Sequence, residues 1–246
     1  MTTKRLFLAI AGLLLAGVVT EAQAGLSFVR SFGSSGSGDG QLNGPADVAV
    51  DSFGNVWVAD TFNNRVEEFS STGTFLQTFG SFGAGNGQFH SPVGVAVDSS
   101  ANLWVTDALN NRVEEFSNTG TFLQTFGSSG SGDGQFKFAV GVAVDSSGHV
   151  WVADSGNNRV EEFSSTGTFL QKFGSLGAGD GQFSGPVGVA VDSSGNVWVA
   201  DRFNNRVEEF SQTPAPSSTV LIGSLLACLI GYGCLRARSR RAASPA

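Results

Sequence analysis

The chain of 246 residues contains only two cysteines, Cys228 and Cys234, and both lie in an apolar run near the C-terminus. The rest of the chain therefore needs no disulfide framework and offers no thiol chemistry. Charged residues make up only 14% of the chain, and 34 glycines with 6 prolines are too few for a collagen-like or low-complexity protein. A chain of this length buries a sizeable core without disulfides, so the composition indicates a folded protein punctuated by glycine.

The N-terminus has the order of a secretory signal peptide. Lys4 and Arg5 precede an apolar run from Leu6 to Val19, and the small-residue motif at 22–24 follows it. This order predicts a signal peptide over residues 1–24, cleaved after Ala24. A permanent N-terminal anchor is the alternative.

The C-terminal end predicts a membrane segment. A Pro- and Ser-containing linker at 213–219 leads into an apolar stretch of 16 residues at 220–235, and four arginines follow at 236–246. Such a stretch spans roughly 24 Å, which is short for a bilayer core but workable with snorkelling arginines. We expect a transmembrane helix at 220–235 with its basic tail in the cytoplasm.

The same tail resembles the PEP-CTERM sorting signal of Gram-negative, exopolysaccharide-producing bacteria. Pro214 and Pro216 flank Ala215, and a short apolar stretch and an arginine-rich end follow. The resemblance implies an exosortase partner in the inner membrane, with the protein held there or released to the envelope or extracellular matrix. Because that family typically has Glu where Ala215 stands, a simple C-terminal anchor is the alternative.

A repeat decides the predicted fold. The only four tryptophans, Trp57, Trp104, Trp151 and Trp198, recur every 47 residues. Each repeat holds four short runs rich in Val, Phe and Trp, separated by turn-forming clusters and without helical periodicity. Four antiparallel strands in a repeat of about 40 to 50 residues describe one blade of a β-propeller. We predict an all-β propeller of four blades over residues 25–212.

Both ends of the repeat set suggest how the ring closes. Phe28–Gly33 lies one period before Phe75–Gly80 and is therefore a spare fourth strand. The last repeat ends after Phe210, where prolines follow in place of its own fourth strand. We predict that the N-terminal strand completes the last blade and closes a ring of four, which would remove the exposed sheet edges.

The blade resembles the NHL repeat over residues 26–210. A Pro-x-Gly-Val-Ala-Val-Asp strand, a Gly-Asn turn, a Trp-Val-Ala-Asp strand and an Asn-x-Arg loop are matched closely from Val187 to Arg206. Asn replaces the loop His of the family in every repeat. The resemblance implies a propeller, in a family whose rings more often have six blades and whose relatives include RNA-binding proteins and lyases with a His-rich zinc centre.

A repeated Asp ends each second strand and is followed by Asn-Asn-Arg. We predict that the carboxylate caps the loop and pairs with the Arg fork, which is a structural role. A ring of these oxygens that binds Ca²⁺ is the alternative, but no EF-hand spacing supports it and we expect no cofactor. The motif residues are Asp60, Asn64, Arg65, Asp107, Asn111, Arg112, Asp154, Asn158, Arg159, Asp201, Asn205 and Arg206.

Acidic residues dominate the predicted propeller. Residues 25–213 carry 8 basic and 20 acidic side chains, a net charge of −12 that argues against a nucleic-acid partner. Eight of the carboxylates form Glu pairs on the third strands, at 67–68, 114–115, 161–162 and 208–209. Adjacent strand residues point to opposite faces, so we expect solvated outer strands rather than paired acid–base sites.

Catalytic signals are absent from the sequence. His90 falls between blades and His149 falls in the first turn of the third blade, so we expect them on opposite faces and without a shared metal. No nucleophile elbow accompanies either histidine. We predict no enzyme activity, no catalytic residues and no metal ligands; a hydrolase or lyase with a metal-assisted site at the propeller mouth is the alternative.

The repeats vary most just after the repeated Asp. There the chain has Phe62, Leu109 and the pair Arg202 and Phe203. Exposed aromatic residues on rigid loops are good contact groups, so we predict a binding rim at these four positions, with packing against neighbouring loops as the alternative. Together with the two ends, this predicts an exported, envelope-associated, non-catalytic module that binds protein or exopolysaccharide.

Overall fold

The computed structural model describes residues 27–211. The predicted signal peptide, linker, transmembrane helix, basic tail and sorting-signal prolines Pro214 and Pro216 lie outside the described residues. The chain divides into Met1–Ser31 and Phe32–Ala246, and residues 27–31 of the first unit form neither strand nor helix. Within 27–211, no helix has the length and apolar character needed to cross a membrane.

The second unit consists of four antiparallel blades in chain order. The first contains β3 (Pro45–Val50), β4 (Val56–Asp60), β5 (Arg65–Phe69) and β6 (Phe75–Phe79), and it follows the short parallel pair β1 (Ser34–Ser35) and β2 (Gln41–Leu42). The second contains β7 (Pro92–Val97), β8 (Leu103–Asp107), β9 (Arg112–Phe116) and β10 (Phe122–Phe126). The third contains β11 (Ala139–Val144), β12 (Val150–Asp154), β13 (Arg159–Phe163) and β14 (Phe169–Phe173). The fourth contains β15 (Pro186–Val191), β16 (Val197–Asp201) and β17 (Arg206–Phe210).

Three short 3₁₀ helices follow second strands: η1 (Thr61–Asn63), η2 (Ser155–Asn157) and η3 (Arg202–Asn204). Because Val, Phe and Trp fill the strands and Gly, Asn and Asp fill the turns, the elements fall where the repeat pattern places them. The predicted all-β propeller of four blades is confirmed.

The core lies between successive blades. Trp57 and Val66 of the first blade pack with Val95, Val105 and Phe116 of the second. Equivalent clusters form between the second and third blades and between the third and fourth. Each apolar face of an inner blade is therefore buried by the facing blade, and the same contact is made three times.

The predicted closure of the ring is wrong for the described residues. Residues 27–33 form no strand, and the last sheet has only three strands, in the order β15–β16–β17. Val48 of the first blade and Val207 of the fourth are exposed, although the equivalent valines of inner blades are buried. The same packing contact recurs at each blade boundary and fixes the angle between neighbouring blades. Three such contacts do not bring the outer face of the fourth blade onto the outer face of the first.

Candidate functional site

Every blade holds a buried polar network where its second strand ends. In the third blade, Asp154 Oδ1 accepts a hydrogen bond from the Lys137 amide at 2.8 Å. Its Oδ2 accepts hydrogen bonds from Asn157 Nδ2 at 2.7 Å and from Arg159 Nε at 2.9 Å. The same Asp–Arg pair lies 2.8 to 3.0 Å apart in the other blades, at Asp60–Arg65, Asp107–Arg112 and Asp201–Arg206. The pairing expected from the sequence is therefore present in all four blades.

The arginine of each network fastens the loop that enters its own blade. Arg159 donates through Nη1 to the Ser131 carbonyl at 2.7 Å. Through Nη2 it donates to the carbonyls of Gly132 at 2.7 Å and Gln135 at 2.6 Å. Backbone carbonyls of this glycine-rich loop thus point towards a cation, which is the arrangement of a structural tie and not of a phosphate cradle.

The asparagine that stands in place of the loop His links one blade to the next. Asn64, Asn111 and Asn158 adopt the left-handed conformation with φ near 55°. Their Oδ1 atoms accept hydrogen bonds from the amides of Ser91 at 3.0 Å, Phe138 at 2.7 Å and Gly185 at 3.0 Å, all in the following blade. Asn205 has the same backbone conformation in the fourth blade, where the described residues include no following blade to bind.

The expectation that the Glu pairs are solvated is wrong for the first three blades. Glu67, Glu68, Glu114, Glu115, Glu161 and Glu162 are all buried. The third strand is not an outer strand, because the fourth strand covers its edge and the entering loop covers its end. Only the glutamates at 208 and 209, in the three-stranded last blade, retain exposure.

The inner glutamate of each pair extends the polar network. Glu161 Oε2 accepts a hydrogen bond from the Gly134 amide at 3.0 Å. Its Oε1 lies 2.5 Å from Arg159 Nη2, as an ion pair that lacks a well-directed hydrogen bond. Burial raises the pKa of Glu161 and Glu114 to about 7 and that of Glu67 to about 6, and the neighbouring arginine only partly offsets it. These carboxylates are buried and held by hydrogen bonds and ion pairs within the fold.

A cavity of about 360 Å³ lies where the innermost strands of all four blades meet. Asp47 is the only ionisable residue of its lining, and Gly94, Gly141 and Gly188 occupy the equivalent positions of the other blades. Burial raises the pKa of Asp47, while its carboxylate accepts hydrogen bonds from the amides of Val95 at 3.0 Å and Val48 at 2.9 Å. A single carboxylate with both oxygens engaged does not make an acid–base pair.

One group of side chains within residues 27–211 has the composition of a metal site. The ligand atoms of Asp145, His149 and Glu162 lie within 4.8 Å of one another. His149 Nδ1 is 2.8 Å from Glu162 Oε1 and 3.5 Å from Asp145 Oδ2. In the second blade, Asn102 Nδ2 donates to Glu115 Oε1 at 2.9 Å from the equivalent position.

The sequence pattern alone does not bring these three side chains together, and the prediction of no metal ligands stays a prediction. His149 Nδ1 takes the place beside the third-strand glutamate that Asn102 Nδ2 holds in the second blade, which gives it a structural role without any ion. The signal that was available in the sequence is the replacement of Asn by His in the third repeat, directly after a turn that begins with Asp145. Glu162 enters the group only through the pairing of its strand with β12, opposite Trp151.

The predicted binding rim is exposed. Phe62 and Phe203 lie within η1 and η3 and expose about two thirds of their surface, and Leu109 is also exposed. The Phe62 amide donates to the Asn43 carbonyl at 3.1 Å, and the Phe203 and Leu109 amides make equivalent bonds to their own entering loops. The Arg202 guanidinium carbon lies 5.1 Å from the centroid of the Phe203 ring.

The rings of Phe62 and Phe203 each pack against a loop on one side and are exposed on the other. Phe62 covers Gly44 and Phe203 covers Gly185, so closely that a Cβ on either glycine would lie 2.6 Å or less from the ring. Both glycines also have positive φ, of 62° and 61°. One side of each ring is therefore fixed against the entering loop of its own blade, and the other side faces outward.

Comparison with known proteins identifies the repeat. A family model for the NHL repeat matches residues 42–69, 136–163 and 183–210, which contain the first three strands of the first, third and fourth blades. The chain thus carries the repeat that its sequence resembles.

Similar solved structures include two lyases and a β-propeller domain. A streptogramin B lyase is 17% identical with a TM-score of 0.52 over 69% of this chain and 55% of that chain. A catalytically inactive virginiamycin B lyase from Staphylococcus aureus, bound to quinupristin, is 17% identical with a TM-score of 0.51 over 68% and 55%. The WD40 β-propeller domain of Doa1 is 18% identical with a TM-score of 0.55 over 71% and 53%.

The chain spans about half the length of the solved structures that it matches. At these identities, the likeness shows the fold alone. Three of the four observed blades contain a matched segment: this chain is an all-β propeller of four blades that carries NHL repeats.

Proposed function

We propose that this protein is an exported, envelope-associated, non-catalytic module whose propeller rim binds a protein or an exopolysaccharide. The single observation that carries the proposal is the outward exposure of Phe62 and Phe203 on short helices whose backbone is hydrogen-bonded to the entering loops. Aromatic rings offer a large contact area at a low cost in conformational entropy.

The fixation of the rim comes from the buried networks beneath it. Asp60 stands directly before η1 and binds Asn63 Nδ2 at 2.7 Å, and Asn64 ends the helix in the left-handed conformation. Asp201, Asn204 and Asn205 do the same around η3. A contact group whose backbone is already ordered loses little freedom on binding, so its contact area is converted more fully into affinity.

The chemistry of the rim suits a polymer with apolar faces and some negative charge. Arg202 places a cation beside the Phe203 ring on a domain whose net charge, Arg202 included, is −12 between residues 25 and 213. Planar rings pack on the apolar faces of sugars and on apolar protein side chains alike. Export by the signal peptide at 1–24, processing by an exosortase and a membrane helix at 220–235 belong to the same proposal and rest on the sequence.

The test is co-sedimentation of the purified full chain with two fractions of the producing cells, extracellular polymer and surface protein, with and without Ca²⁺. The variant carries Phe62→Ala and Phe203→Ala. Phe53→Ala is the matched control, because Phe53 is an equally exposed phenylalanine at the opposite end of β4. We expect the wild type and the control to bind one fraction and the double variant to lose binding at least tenfold. Equal binding by all three proteins, or binding by none, would refute the rim proposal.

A second candidate function is a metal-assisted hydrolase or lyase, and the Asp145–His149–Glu162 group is the observation that favours it. Carboxylate and imidazole are ligands that Zn²⁺ accepts, and catalytic zinc sites use three protein ligands. The variant His149→Asn has the residue of the second blade at this position, where Asn102 donates a hydrogen bond to Glu115. It should therefore fold normally. If the site is catalytic, the wild type will bind one Zn²⁺ by calorimetry and the variant none; equal titration of both proteins removes this candidate.

A further inference from the structure

Two apolar blade faces are left uncovered at the ends of the propeller unit. The first-blade face consists of Val48 and Val50 on β3, and the fourth-blade face consists of Trp198 and Val207 on β16 and β17. Val48 and Val207 are 60% and 65% exposed. Their equivalents at inner boundaries, Val95 and Val66, are 4% and 0% exposed.

These faces are the two halves of a contact that the chain already makes three times. Trp57 and Val66 of the first blade stand at the positions of Trp198 and Val207, and they pack against Val95 of the second blade, which stands at the position of Val48. The residues are identical at each of these positions. The fourth-blade face is therefore shaped to receive a first-blade face, and the inner boundaries show which side chains of the two faces would pack together.

The fourth-blade face carries a hydrogen-bond acceptor, and the first-blade face carries the donor that matches it. At each inner boundary an asparagine accepts a hydrogen bond from an amide one blade further on, and the last example is Asn158 to Gly185 at 3.0 Å. Asn205 supplies the same acceptor at the fourth-blade face, with φ of 55°. Gly44 supplies the matching amide at the first blade, with φ of 62° against 61° for Gly185. Neither amide nor acceptor needs a change of backbone conformation to pair with a second copy.

Phe32 packs on the first blade as the last residue of a preceding blade would. Its ring centroid lies 4.9 Å from that of Phe69. The last residue of each complete blade makes the same contact with the next blade, as Phe79 does with Phe116 at 4.6 Å. Phe32 thus occupies, against its own first blade, the position that belongs to the end of a fourth strand.

We propose that two copies of this chain associate head to tail, the fourth-blade face of one copy packing on the first-blade face of the other. In the described residues β17 pairs only with β16, and residues 28–32 have the sequence pattern of a fourth strand. Residues 28–32 of the second copy add that strand to the fourth blade of the first, as in β-strand addition.

The register of the added strand follows from the complete blades. Phe163 pairs with Phe169 and Val160 pairs with Phe173 in the third blade. The added strand therefore places its Phe28 opposite Phe210 and its Phe32 opposite Val207. A head-to-tail contact closes into a ring when the rotations permit. Two copies give eight blades, at the upper end of the usual range of about four to eight.

The first experiment measures the mass of the purified full chain in detergent by light scattering. One variant, Val48→Asp with Val50→Asp, blocks the first-blade face, and another, Val207→Asp, blocks the fourth-blade face. Each substitution is at an exposed position and leaves the inner boundaries intact. Leu123→Asp is the control, because Leu123 is an exposed apolar residue on the fourth strand of an inner blade.

We expect the wild type and the control to have the mass of two copies and each blocked variant to have the mass of one. An equimolar mixture of the two blocked variants should regain the two-copy mass, because it contains one intact pair of faces. A monomeric wild type, or a blocked variant that keeps the two-copy mass, would overturn the proposal. The second result would show association through the apolar C-terminal stretch or through two like faces.

A disulfide test separates association from closure within one chain. Phe32→Cys and Val207→Cys are introduced together, with Cys228→Ser and Cys234→Ser to remove the natural thiols. Oxidation should give a covalent two-copy species on a non-reducing gel, and either cysteine alone should give none at the same protein concentration. An internally linked single chain would contradict the proposal and restore closure of a four-blade ring.

Discussion

Removing the arginine of one inner blade tests whether the buried networks hold the entering loops in place. Arg159→Ala deletes the hydrogen bond and ion pair to Asp154, three hydrogen bonds to loop carbonyls and the ion pair to Glu161. Arg159 is itself buried, with about 6% of its surface exposed. The two carboxylates would remain inside the blade without their cation.

The expected loss of stability is large. Breaking a buried ion pair by removing one partner costs about 3–5 kcal/mol, because an uncompensated charge stays buried. The lost bonds to carbonyls are charge-assisted, and such bonds contribute roughly 1.5–3 kcal/mol each, net of exchange with water. Because these contributions overlap, we expect a decrease of about 4 kcal/mol in the free energy of unfolding.

The repeat provides a matched control for this prediction. Arg206→Ala makes the same deletion in the fourth blade, where the arginine side chain is 25% exposed and Glu208 is only partly buried. Water can solvate the Glu208 carboxylate there, whereas Asp201 stays buried, so the loss should be clearly smaller than for Arg159→Ala. Arg159→Lys should rescue little, because one ammonium group cannot replace the planar fork that reaches three carbonyls.

The assay is urea unfolding of the full chain, followed by tryptophan fluorescence, since Trp57, Trp104 and Trp151 are buried at the blade boundaries. Protease sensitivity of the loop at 128–138 gives a local readout for the same variants. Equal small losses, below about 1 kcal/mol, for Arg159→Ala and Arg206→Ala would refute the argument that burial of the network determines its contribution.

Two further predictions use the same assay. Burial raises the pKa of Glu161 from 4.5 to about 7, so the folded state binds this proton more tightly than the unfolded state and stability falls as pH rises through this interval. Glu161→Gln should reduce the fall in unfolding free energy between pH 5 and pH 8 by up to about 3 kcal/mol, and an unchanged pH slope would contradict this. Gly167→Ala should destabilise more than Gly148→Ala: both have positive φ, but a Cβ at Gly167 would lie 2.9 Å from Phe126 Cδ1, whereas at Gly148 its nearest neighbour is 3.8 Å away. Similar losses for the two glycine variants would show that backbone strain alone matters.

The sequence predicted the strands well because the signal repeats. A period of 47 residues supplies four examples of each strand and turn, so local patterns that would be ambiguous once become consistent. The prediction that the Glu pairs are solvated failed for a physical reason. Alternation along a strand tells which face a side chain takes but not whether a loop from elsewhere covers that face, and Glu161 is covered by the loop that contains Gly134.

The candidate site was only partly accessible from the sequence. The rim residues stood out because they differ between otherwise similar repeats, and their positions follow from the strand ends. The group around His149 depends on which residue of β13 lies beside the turn before β12, and that register is a property of the assembled sheet. Counting strands likewise revealed one spare and one missing strand, but whether the two meet within a chain depends on an angle accumulated over three boundaries.

The near identity of the blades has a consequence for the ends. Exposed edges and faces of β-proteins are commonly protected by charged residues, prolines or bulges. Here the end faces keep the valines and the tryptophan of the inner boundaries. β3 differs from β7 at Ala46 and Asp47, and Asp47 turns its carboxylate towards the Val95 amide of the second blade. An apolar face that is maintained without protection has to be covered for the protein to stay soluble. The partner that matches it residue by residue is the opposite face of another copy, and a ring formed this way would carry Phe62 and Phe203 twice, so that two weak rim contacts to a polymer would reinforce each other.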